Sequence, residues 1–317
     1  MRKGWNAAKL QHLKTLKQED FFGLYPERFV IETVLGCNLA CPECAVGAGL
    51  INRKYGRMSL DSYRIIADKL KPYAKELILV MWGEPLLNKD IFEIIALSAQ
   101  FASRVCISTN GNLLDEAAAE RLVKSGLTSI IVSIDGTTQE VYEKYRVGGS
   151  LNKALDGLRW LQEAKQKYRS KIIIIPQFIV FKHNQHQLEE FNALCDKLGL
   201  KADYKAPYLR DNSALSASTL PQYQRFVYTD KAQWTAGMSS CDTAWQSMTV
   251  LRDGTVVPCC CASNSDDLNF GNLLESDLPA IWDSEEFRRF RWQLIRGKGP
   301  QFCRSNCLQH FYKPSEE

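Results

Sequence analysis

Three cysteines at short, fixed spacing are the residues of this chain best suited to chemistry. Cys37, Cys41 and Cys44 form a C-x3-C-x2-C run directly after the apolar segment 29–35. Thiolates are soft ligands, and three of them on one short loop favour an iron–sulfur cluster or zinc. A cluster held by three cysteines, instead of the usual four, keeps one iron open to a substrate or cofactor. A zinc site completed by a distant fourth ligand fits the same spacing, so the loop alone leaves both alternatives open.

Apolar runs along the chain predict the elements that position this loop. Five helical patterns, at 59–70, 90–101, 115–125, 151–168 and 187–198, alternate with six β-rich segments. The β-rich segments are 28–35, 76–81, 105–108, 128–133, 172–181 and 202–206. Strands that are apolar on both faces and separated by helices are typical of a parallel sheet covered by helices. We therefore predict an α/β fold, a partial (β/α)6 TIM-like barrel, followed by a small C-terminal α+β domain. Functional residues in such sheets gather at the carboxyl ends of the strands.

The chain divides into four predicted parts. The alternation of strand and helix patterns ends after about residue 207, and the stretch that follows is rich in Ser, Ala and Thr. These two changes predict a linker. Beyond it, Asp253-Gly254 between two β-rich runs predicts a hairpin, and one helix is predicted from about residue 278 to 295. The predicted bounds are an N-terminal helical segment over 1–27, the barrel over 28–208, the linker over 209–240 and the C-terminal domain over 241–317.

Short polar motifs follow three of the later strands. They are Trp82-Gly83-Glu84-Pro85, Ser108-Thr109-Asn110-Gly111 and Ser133-Ile134-Asp135-Gly136. Together with the cysteine loop, and in this order, they resemble the radical SAM superfamily over about residues 28–208. The resemblance implies a catalytic 4Fe-4S cluster on Cys37, Cys41 and Cys44, with S-adenosyl-L-methionine (SAM) bound at its open iron. One departure is Glu43, because many family members carry an aromatic residue just before the third cysteine, near the adenine.

The resemblance also implies a set of SAM-binding residues. The glycine-glutamate element would bind the methionine amino group through its backbone, and the Ser, Asn and Asp positions would contact the ribose and the methionine carboxylate. Arg146 resembles an arginine of the family that follows strand four, and its guanidinium fork suits a carboxylate. The alternative for Arg146 is a surface ion pair. The polar strand-end residues have a simpler alternative as well, which is to satisfy loop backbone. The predicted cofactor-binding residues are Gly83, Glu84, Ser108, Asn110, Ser133, Asp135, Arg146 and Gln177.

A second set of cysteines lies in the C-terminal region. The Gly254-x4-Cys259 spacing and the final C-x3-C run resemble the family's auxiliary-cluster extension, of the SPASM or the shorter twitch type. We expect one auxiliary 4Fe-4S cluster there, with zinc as the alternative. The adjacent Cys260 and Cys261 leave the second ligand undecided; either could instead be a catalytic hydrogen-atom donor, as an epimerase would need. The predicted auxiliary ligands are Cys241, Cys259, Cys303 and Cys307.

Composition is that of an ordinary globular protein. The chain has 317 residues, of which 45% are hydrophobic and 24% charged, and its net charge is only +4. This balance gives no reason to expect nucleic acid or a membrane as a partner. Eleven cysteines without a signal peptide indicate metal rather than disulfides, and hence a cytoplasmic protein.

These observations predict a radical SAM oxidoreductase. It would cleave SAM reductively to a 5′-deoxyadenosyl radical, which abstracts a hydrogen atom from the substrate, with the auxiliary cluster assisting electron transfer in a dehydrogenation or epimerisation. A flavodoxin or ferredoxin would donate electrons. Only about 27 residues precede the first strand, which is too few for a leader-binding domain, and this favours a small polar substrate, a sugar or aminocyclitol. The alternatives are a peptide- or protein-modifying maturase and a non-catalytic zinc-binding module.

Overall fold

The computed structural model describes residues 15, 17, 22, 23, 25–210, 213–225, 235, 241, 243–264, 268–300, 302 and 303. Most of the predicted N-terminal helical segment, and Cys307, lie outside these residues. The chain forms two compact units. We call Ile31–Tyr63 with Glu76–Arg225 the barrel unit, and Met1–Val30, Arg64–Lys75 and Phe226–Glu317 the C-terminal unit. The predicted domain bounds remain predictions.

The barrel unit is built on five parallel strands. Each of these strands pairs in parallel with the next one along the chain, and they are β4 Glu76–Ile78, β5 Arg104–Thr109, β6 Ser129–Ser133, β7 Ile173–Ile179 and β8 Asp203–Lys205. Isoleucine is the commonest residue of the five strands taken together, and burial largely alternates along each strand, so that one face of the sheet is buried and the other is more exposed. The α/β fold is confirmed. Three short strands precede β4 in the described part of the chain: β1 Arg28–Ile31, β2 Val34–Leu35 and β3 Gly56–Arg57.

Helices alternate with these strands, close to the predicted bounds. Polar caps fix where they begin: Asp115 accepts a hydrogen bond from the Ala118 amide at 2.7 Å, and Ser150 accepts one from the Lys153 amide. The short helix α4 was not predicted. The helices are α1 Leu60–Leu70, α2 Ile91–Ser98, α3 Glu116–Lys124, α4 Gln139–Glu143, α5 Leu151–Lys167 and α6 Leu188–Lys197. In the part of the chain that the structure describes, no helix is long and apolar enough to cross a membrane.

The cysteine loop lies on an excursion of the chain between β2 and β3. These two strands pair antiparallel, with Leu35 opposite Gly56, and so close the excursion at its base. Arg53, on the returning limb, donates two hydrogen bonds of 2.7 Å to the buried Glu32 carboxylate. A bidentate pair of this kind fixes orientation as well as distance. The loop therefore starts from a rigid frame.

The C-terminal unit contains the predicted hairpin. Strands β9 Ser247–Val250 and β10 Val256–Val257 pair antiparallel, and the Asp253 side chain accepts a hydrogen bond from the Thr255 amide in the turn. Helix α7 spans Thr243–Gln246. The single helix predicted over 278–295 is two helices, α8 Leu278–Trp282 and α9 Glu285–Ile295. The break occurs because the Ser284 hydroxyl caps α9, accepting from the Phe287 amide at 3.2 Å.

Candidate functional site

The three loop cysteines converge on one patch of the barrel unit. Cys41 is buried, whereas Cys37 and Cys44 are half-buried. All three contact a single apolar cluster, whose other buried members are Leu39, Tyr145 and Phe181. The Cys37 and Cys44 thiols therefore each have one side packed against protein and another side accessible. Ligands of a cluster that is open on one side need this arrangement.

Close backbone packing gives the loop its shape. The Cys44 amide donates to the Cys41 carbonyl at 3.1 Å, which makes a tight turn between the last two cysteines. Gly47 then passes over this turn so closely that a Cβ there would lie 2.5 Å from both the nitrogen and the oxygen of Cys41. Gly47 was not predicted as a site residue, although a glycine three positions after the last cysteine is a signal for such a close approach.

Burial disfavours the thiolate form of these cysteines. It raises the pKa of Cys37, and it raises the pKa of Cys41 to about 11 against the opposing effect of the Arg146 guanidinium. The other two thiols raise the pKa of Cys41 further, which reflects how close the three groups lie. Metal ligation requires thiolates, so iron binding has to supply the free energy of deprotonation.

The positions of the three thiols bear on whether they could hold a single metal ion. Among the described residues, no three Cys, His, Asp or Glu side chains stand close enough together to hold one ion. In an iron–sulfur cluster each thiolate binds a different iron, so the ligands need not converge on one point. Three neighbouring thiols around one apolar patch fit that geometry.

The glycine-glutamate element is pressed against the start of the loop. Gly83 has a φ of +124°, and a Cβ there would lie 2.6 Å from the Gly36 carbonyl oxygen and 2.8 Å from that of Val34. The Glu84 amide donates to the same Gly36 carbonyl at 2.9 Å. Only glycine permits this approach, which holds the end of β2 and the segment after β4 together.

The Glu84 side chain acts as an internal brace. Its carboxylate is almost fully buried and accepts hydrogen bonds from the Thr109 hydroxyl and the Asn110 amide at 2.8 Å each, and from the Leu86 amide at 3.1 Å. Burial raises the pKa of Glu84, and the three donors oppose that rise. Because these donors occupy the carboxylate, the backbone of this element is the part left to meet a ligand.

Asn110 joins the end of β5 to the cysteine loop. Its side-chain amide lies 3.7 Å from the Cys37 sulfur and donates to the Asn38 side-chain oxygen at 2.9 Å. The amide of Asn112 donates to the Asn110 side-chain oxygen, so the side chain is held at both ends. The structure thus brings this predicted residue into contact with a predicted cluster ligand.

Asp135 and Arg146 form a buried ion pair beside Cys41, the second cysteine of the loop. The Arg146 Nε donates to one Asp135 oxygen at 2.5 Å, and the Ile179 amide donates to the other. The Arg146 Nη1 lies 3.8 Å from the Cys41 sulfur. Burial alone lowers the pKa of Arg146, but the Asp135 carboxylate raises it well above its ordinary value. A permanent positive charge therefore touches a predicted cluster ligand.

The remaining predicted contacts lie on one face of the parallel sheet. Ser133 stands opposite Gln177, and Gln177 stands opposite Asp203 and donates to its carboxylate at 2.8 Å. Ser108 lies on the same face and stands opposite Ile131, which is two residues before Ser133 on β6. These side chains line a common surface, but they contact none of the three loop cysteines in the hydrogen bonds of the described residues.

Glu43, at the position where many family members carry an aromatic residue, is engaged by partners within the protein. Its carboxylate is buried, accepting from the Arg210 amide at 2.9 Å and from the Ser213 hydroxyl at 2.6 Å. The Arg210 side chain also donates to the neighbouring Pro42 carbonyl. Glu43 therefore ties the loop to the segment after β8.

The C-terminal unit contains a small cavity walled by cysteines. Cys260 does not line it; its pKa is raised well above the ordinary value by its hydrogen bond to Cys261 and by burial. The structure thus brings three predicted auxiliary ligands together with Cys261, while Cys307 lies outside the described residues. The lining consists of Cys241, Thr243, Ala244, Pro258, Cys259, Cys261, Phe290, Leu294, Phe302 and Cys303.

Comparison with curated proteins finds relatives of several activities. The AdoMet-dependent heme synthase of Nitratidesulfovibrio vulgaris is 24% identical over 83% of this chain and 80% of its own length. The PqqA peptide cyclase of Gluconobacter oxydans is 26% identical over 88% of this chain and 82% of its own. The mycofactocin maturase MftC of Mycobacterium ulcerans is 32% identical, but over only 53% of this chain and 44% of that protein.

Solved structures share the fold of this chain, and family models identify its superfamily. Streptococcus suis SuiB bound to S-adenosylmethionine superimposes with a TM-score of 0.69, at 15% identity, over 91% of this chain and 72% of its own. BtrN in complex with AdoMet and 2-DOIA gives 0.55, at 19% identity, over 86% and 88%. Residues 31–191 match the model of the radical SAM superfamily, and residues 241–308 match that of the SPASM iron–sulfur cluster-binding domain. The chain therefore belongs to the radical SAM superfamily and carries a C-terminal SPASM domain.

Proposed function

We propose that this chain is a radical SAM oxidoreductase that removes a hydrogen atom from a substrate carbon and passes an electron to an auxiliary cluster. One observation carries the proposal: the chain holds two separate cysteine sets, each already gathered around its own site. Three cysteines surround the loop patch in the barrel unit, and four line the cavity in the C-terminal unit. A non-catalytic zinc module would not need the braced loop of the first set.

The residues of the barrel unit would divide the work of the first site. Cys37, Cys41 and Cys44 would hold a 4Fe-4S cluster. When bound, the cluster and SAM supply a one-electron reductive cleavage that yields a radical able to take hydrogen from an unactivated carbon. The backbone at Gly83 would bind the SAM amino group, and the polar face of the sheet would position ribose and substrate.

Arg146 would stabilise the loop electrostatically. Its guanidinium lies against the Cys41 sulfur, so it offsets the negative charge that three thiolates bring together. Asp135 holds the guanidinium in that place through the buried ion pair. The apolar cluster around the cysteines would keep water from the reacting groups.

The proposal is tested by counting iron after anaerobic reconstitution. Wild type should bind about eight irons per chain, and a variant with Cys37, Cys41 and Cys44 all changed to alanine should bind about four. Cys106→Ala is the matched control and should keep about eight. A wild type that binds about four irons, all lost in the triple variant, would remove the auxiliary cluster from the proposal. Stoichiometric zinc without iron would return the chain to the zinc-module alternative.

For the substrate, we propose a small polar molecule of the sugar or aminocyclitol class. A panel of such compounds with deuterium on carbon would be incubated with enzyme, SAM and a reductant of the flavodoxin or ferredoxin type. Deuterium in the released 5′-deoxyadenosine identifies the substrate class. Absence of label with every compound of the panel, while SAM is still cleaved, would count against it.

A peptide substrate is the second candidate, and the similarity to the PqqA peptide cyclase over 88% of this chain favours it. The same assay with deuterated peptides, alone and with a separate peptide-binding protein, distinguishes the two classes. Label from a peptide and none from the sugar panel would establish the maturase alternative.

A further inference from the structure

The cysteine loop reaches the surface of the barrel unit between its first two cysteines. Asn38 and Ala40 are both exposed, and each is the chain neighbour of a predicted cluster ligand, Cys37 or Cys41. The Ala40 amide donates to the Val147 carbonyl at 3.0 Å, and the Val147 side chain is 40% exposed. A protein that contacts this surface therefore comes within one residue of two ligands of the catalytic cluster.

An aromatic ring extends this surface on the side of Gly36. A Cβ on Gly36 would lie 3.5 Å from Cδ1 of Tyr55, so the ring packs against the residue that precedes Cys37. Tyr55 is nevertheless 47% exposed. An exposed tyrosine beside small uncharged side chains is typical of the centre of a protein interface. We call Asn38, Ala40, Tyr55 and Val147 the loop face.

The charges that the excursion 36–57 presents at its surface are positive. Its one carboxylate, Glu43, is buried, and Arg53 is held in its ion pair with Glu32. The other two charged residues of the excursion, Lys54 and Arg57, are exposed, and both are cations. Cations around an uncharged centre favour an acidic partner, because they attract it before contact and orient it.

We propose that the loop face is the docking surface for an acidic protein that carries one electron, and that this electron enters the catalytic cluster there. The inference rests on the proposed function, since reductive cleavage of SAM needs a one-electron donor. The transfer moves one electron from the reduced carrier to the cluster, and no bond forms or breaks in that step. The loop face combines the three features that such docking needs: proximity to the ligands, an exposed ring and a positive surround.

The test measures the binding of a flavodoxin of net negative charge to the reconstituted full-length chain. Lys54→Glu should raise the dissociation constant about tenfold or more, because it reverses a charge of the surround. Tyr55→Ser should raise it about fivefold or more, because it removes the ring from the centre of the interface. Raising the salt concentration from about 50 to about 300 mM should weaken wild-type binding more than it weakens binding by Lys54→Glu.

The matched control is Lys171→Glu, which makes the same change in net charge. Lys171 is exposed and lies just before β7, at the amino end of that strand, whereas the cysteine loop is contacted by Asn110 at the carboxyl end of β5. The control should change the dissociation constant less than about twofold, since an exposed charge on the far edge of the sheet is screened by salt.

A second measurement separates docking from the chemistry of the cluster. Each variant receives SAM with either reduced flavodoxin or dithionite, and the 5′-deoxyadenosine formed is measured. Dithionite is a small reductant that needs no docking surface, so Lys54→Glu and Tyr55→Ser should match wild type with it. With flavodoxin at a concentration below its dissociation constant, their rates should fall by about the same factor as binding does.

Equal dissociation constants and equal flavodoxin-driven rates in wild type, Lys54→Glu and Tyr55→Ser would overturn the inference. Equal slowing of the variants with both reductants would also overturn it, because the two residues would then act on the cluster site itself. A change in the oligomeric state of Lys54→Glu, without a change in flavodoxin binding, would assign the loop face to a second copy of the chain instead. A wild type that binds no iron, or cleaves no SAM with dithionite, would overturn the proposed function.

Discussion

Gly83→Ala is the substitution that best tests how the cysteine loop is held. The φ of +124° already disfavours any L side chain, at about 1–2 kcal/mol. The new Cβ would also overlap the Gly36 carbonyl oxygen at 2.6 Å and that of Val34 at 2.8 Å. Because both neighbours are backbone, they cannot rotate away, and overpacking of this kind costs about 1–3 kcal/mol more. The sum is a loss of about 2–5 kcal/mol in the free energy of unfolding.

The matched control is Gly49→Ala, which lies on the excursion between β2 and β3 that Gly83 packs against. Gly49 also has a positive φ, +67°, but a Cβ there would meet nothing within 4 Å. It should therefore lose only the conformational part, about 1–2 kcal/mol. Urea unfolding of the two apo-proteins measures the difference, and iron analysis after reconstitution reports whether the loop still binds a cluster. Gly83→Ala should fall from about eight irons to about four, and Gly49→Ala should not.

Equal losses in the free energy of unfolding and equal numbers of bound irons in the two variants would contradict this prediction. That result would mean that the contact between Gly83 and Gly36 relaxes without cost, and that the loop is held by other groups. A loss of all iron in Gly83→Ala would also contradict it, because the cysteines of the C-terminal unit should be unaffected.

Three further predictions concern buried carboxylates of the barrel unit. Asp135→Asn should lower the free energy of unfolding by about 3–5 kcal/mol in urea, because it leaves Arg146 buried without its partner; a loss below 1 kcal/mol would show that water replaces the carboxylate. Glu43→Gln should cost about 1–3 kcal/mol, since the Arg210 amide and side chain lose a charged acceptor, and an unchanged urea midpoint would contradict this. Glu84 has a pKa raised by burial, so the folded state holds its proton more tightly than the unfolded state does. The contribution of Glu84 to the free energy of unfolding should therefore be largest below about pH 4.3 and decrease as the pH rises through the folded-state pKa. The measurement is the difference in unfolding free energy between wild type and Glu84→Gln from pH 4 to 8. A difference that grows with pH would contradict the predicted direction.

Local features were predictable because short-range spacing encodes them. The cysteine loop was recognisable because its three ligands lie within eight residues of one another, and the strands because apolar β-branched runs recur between helical patterns. Helix starts are also fixed locally, since one capping residue such as Ser150 satisfies the first free amides of its helix. The break in the helix over 278–295 was missed because the apolar pattern continues across it, while the cap at Ser284 acts within one turn.

The tertiary structure decided which polar groups are used up and which are left. Arg146 and Asp135 were both predicted as ligand contacts, yet burial pairs them with each other, and Glu43 finds its partner in Arg210, 167 residues away. Among three consecutive cysteines, only the packing of the C-terminal unit shows that Cys261, and not Cys260, joins Cys259 at the cavity. The sequence by itself thus determined the residue types and the order of the motifs, because these follow from neighbours along the chain. The pairing of buried charges was decided by folding, since removal from water makes each buried polar group depend on the partner that packing brings to it.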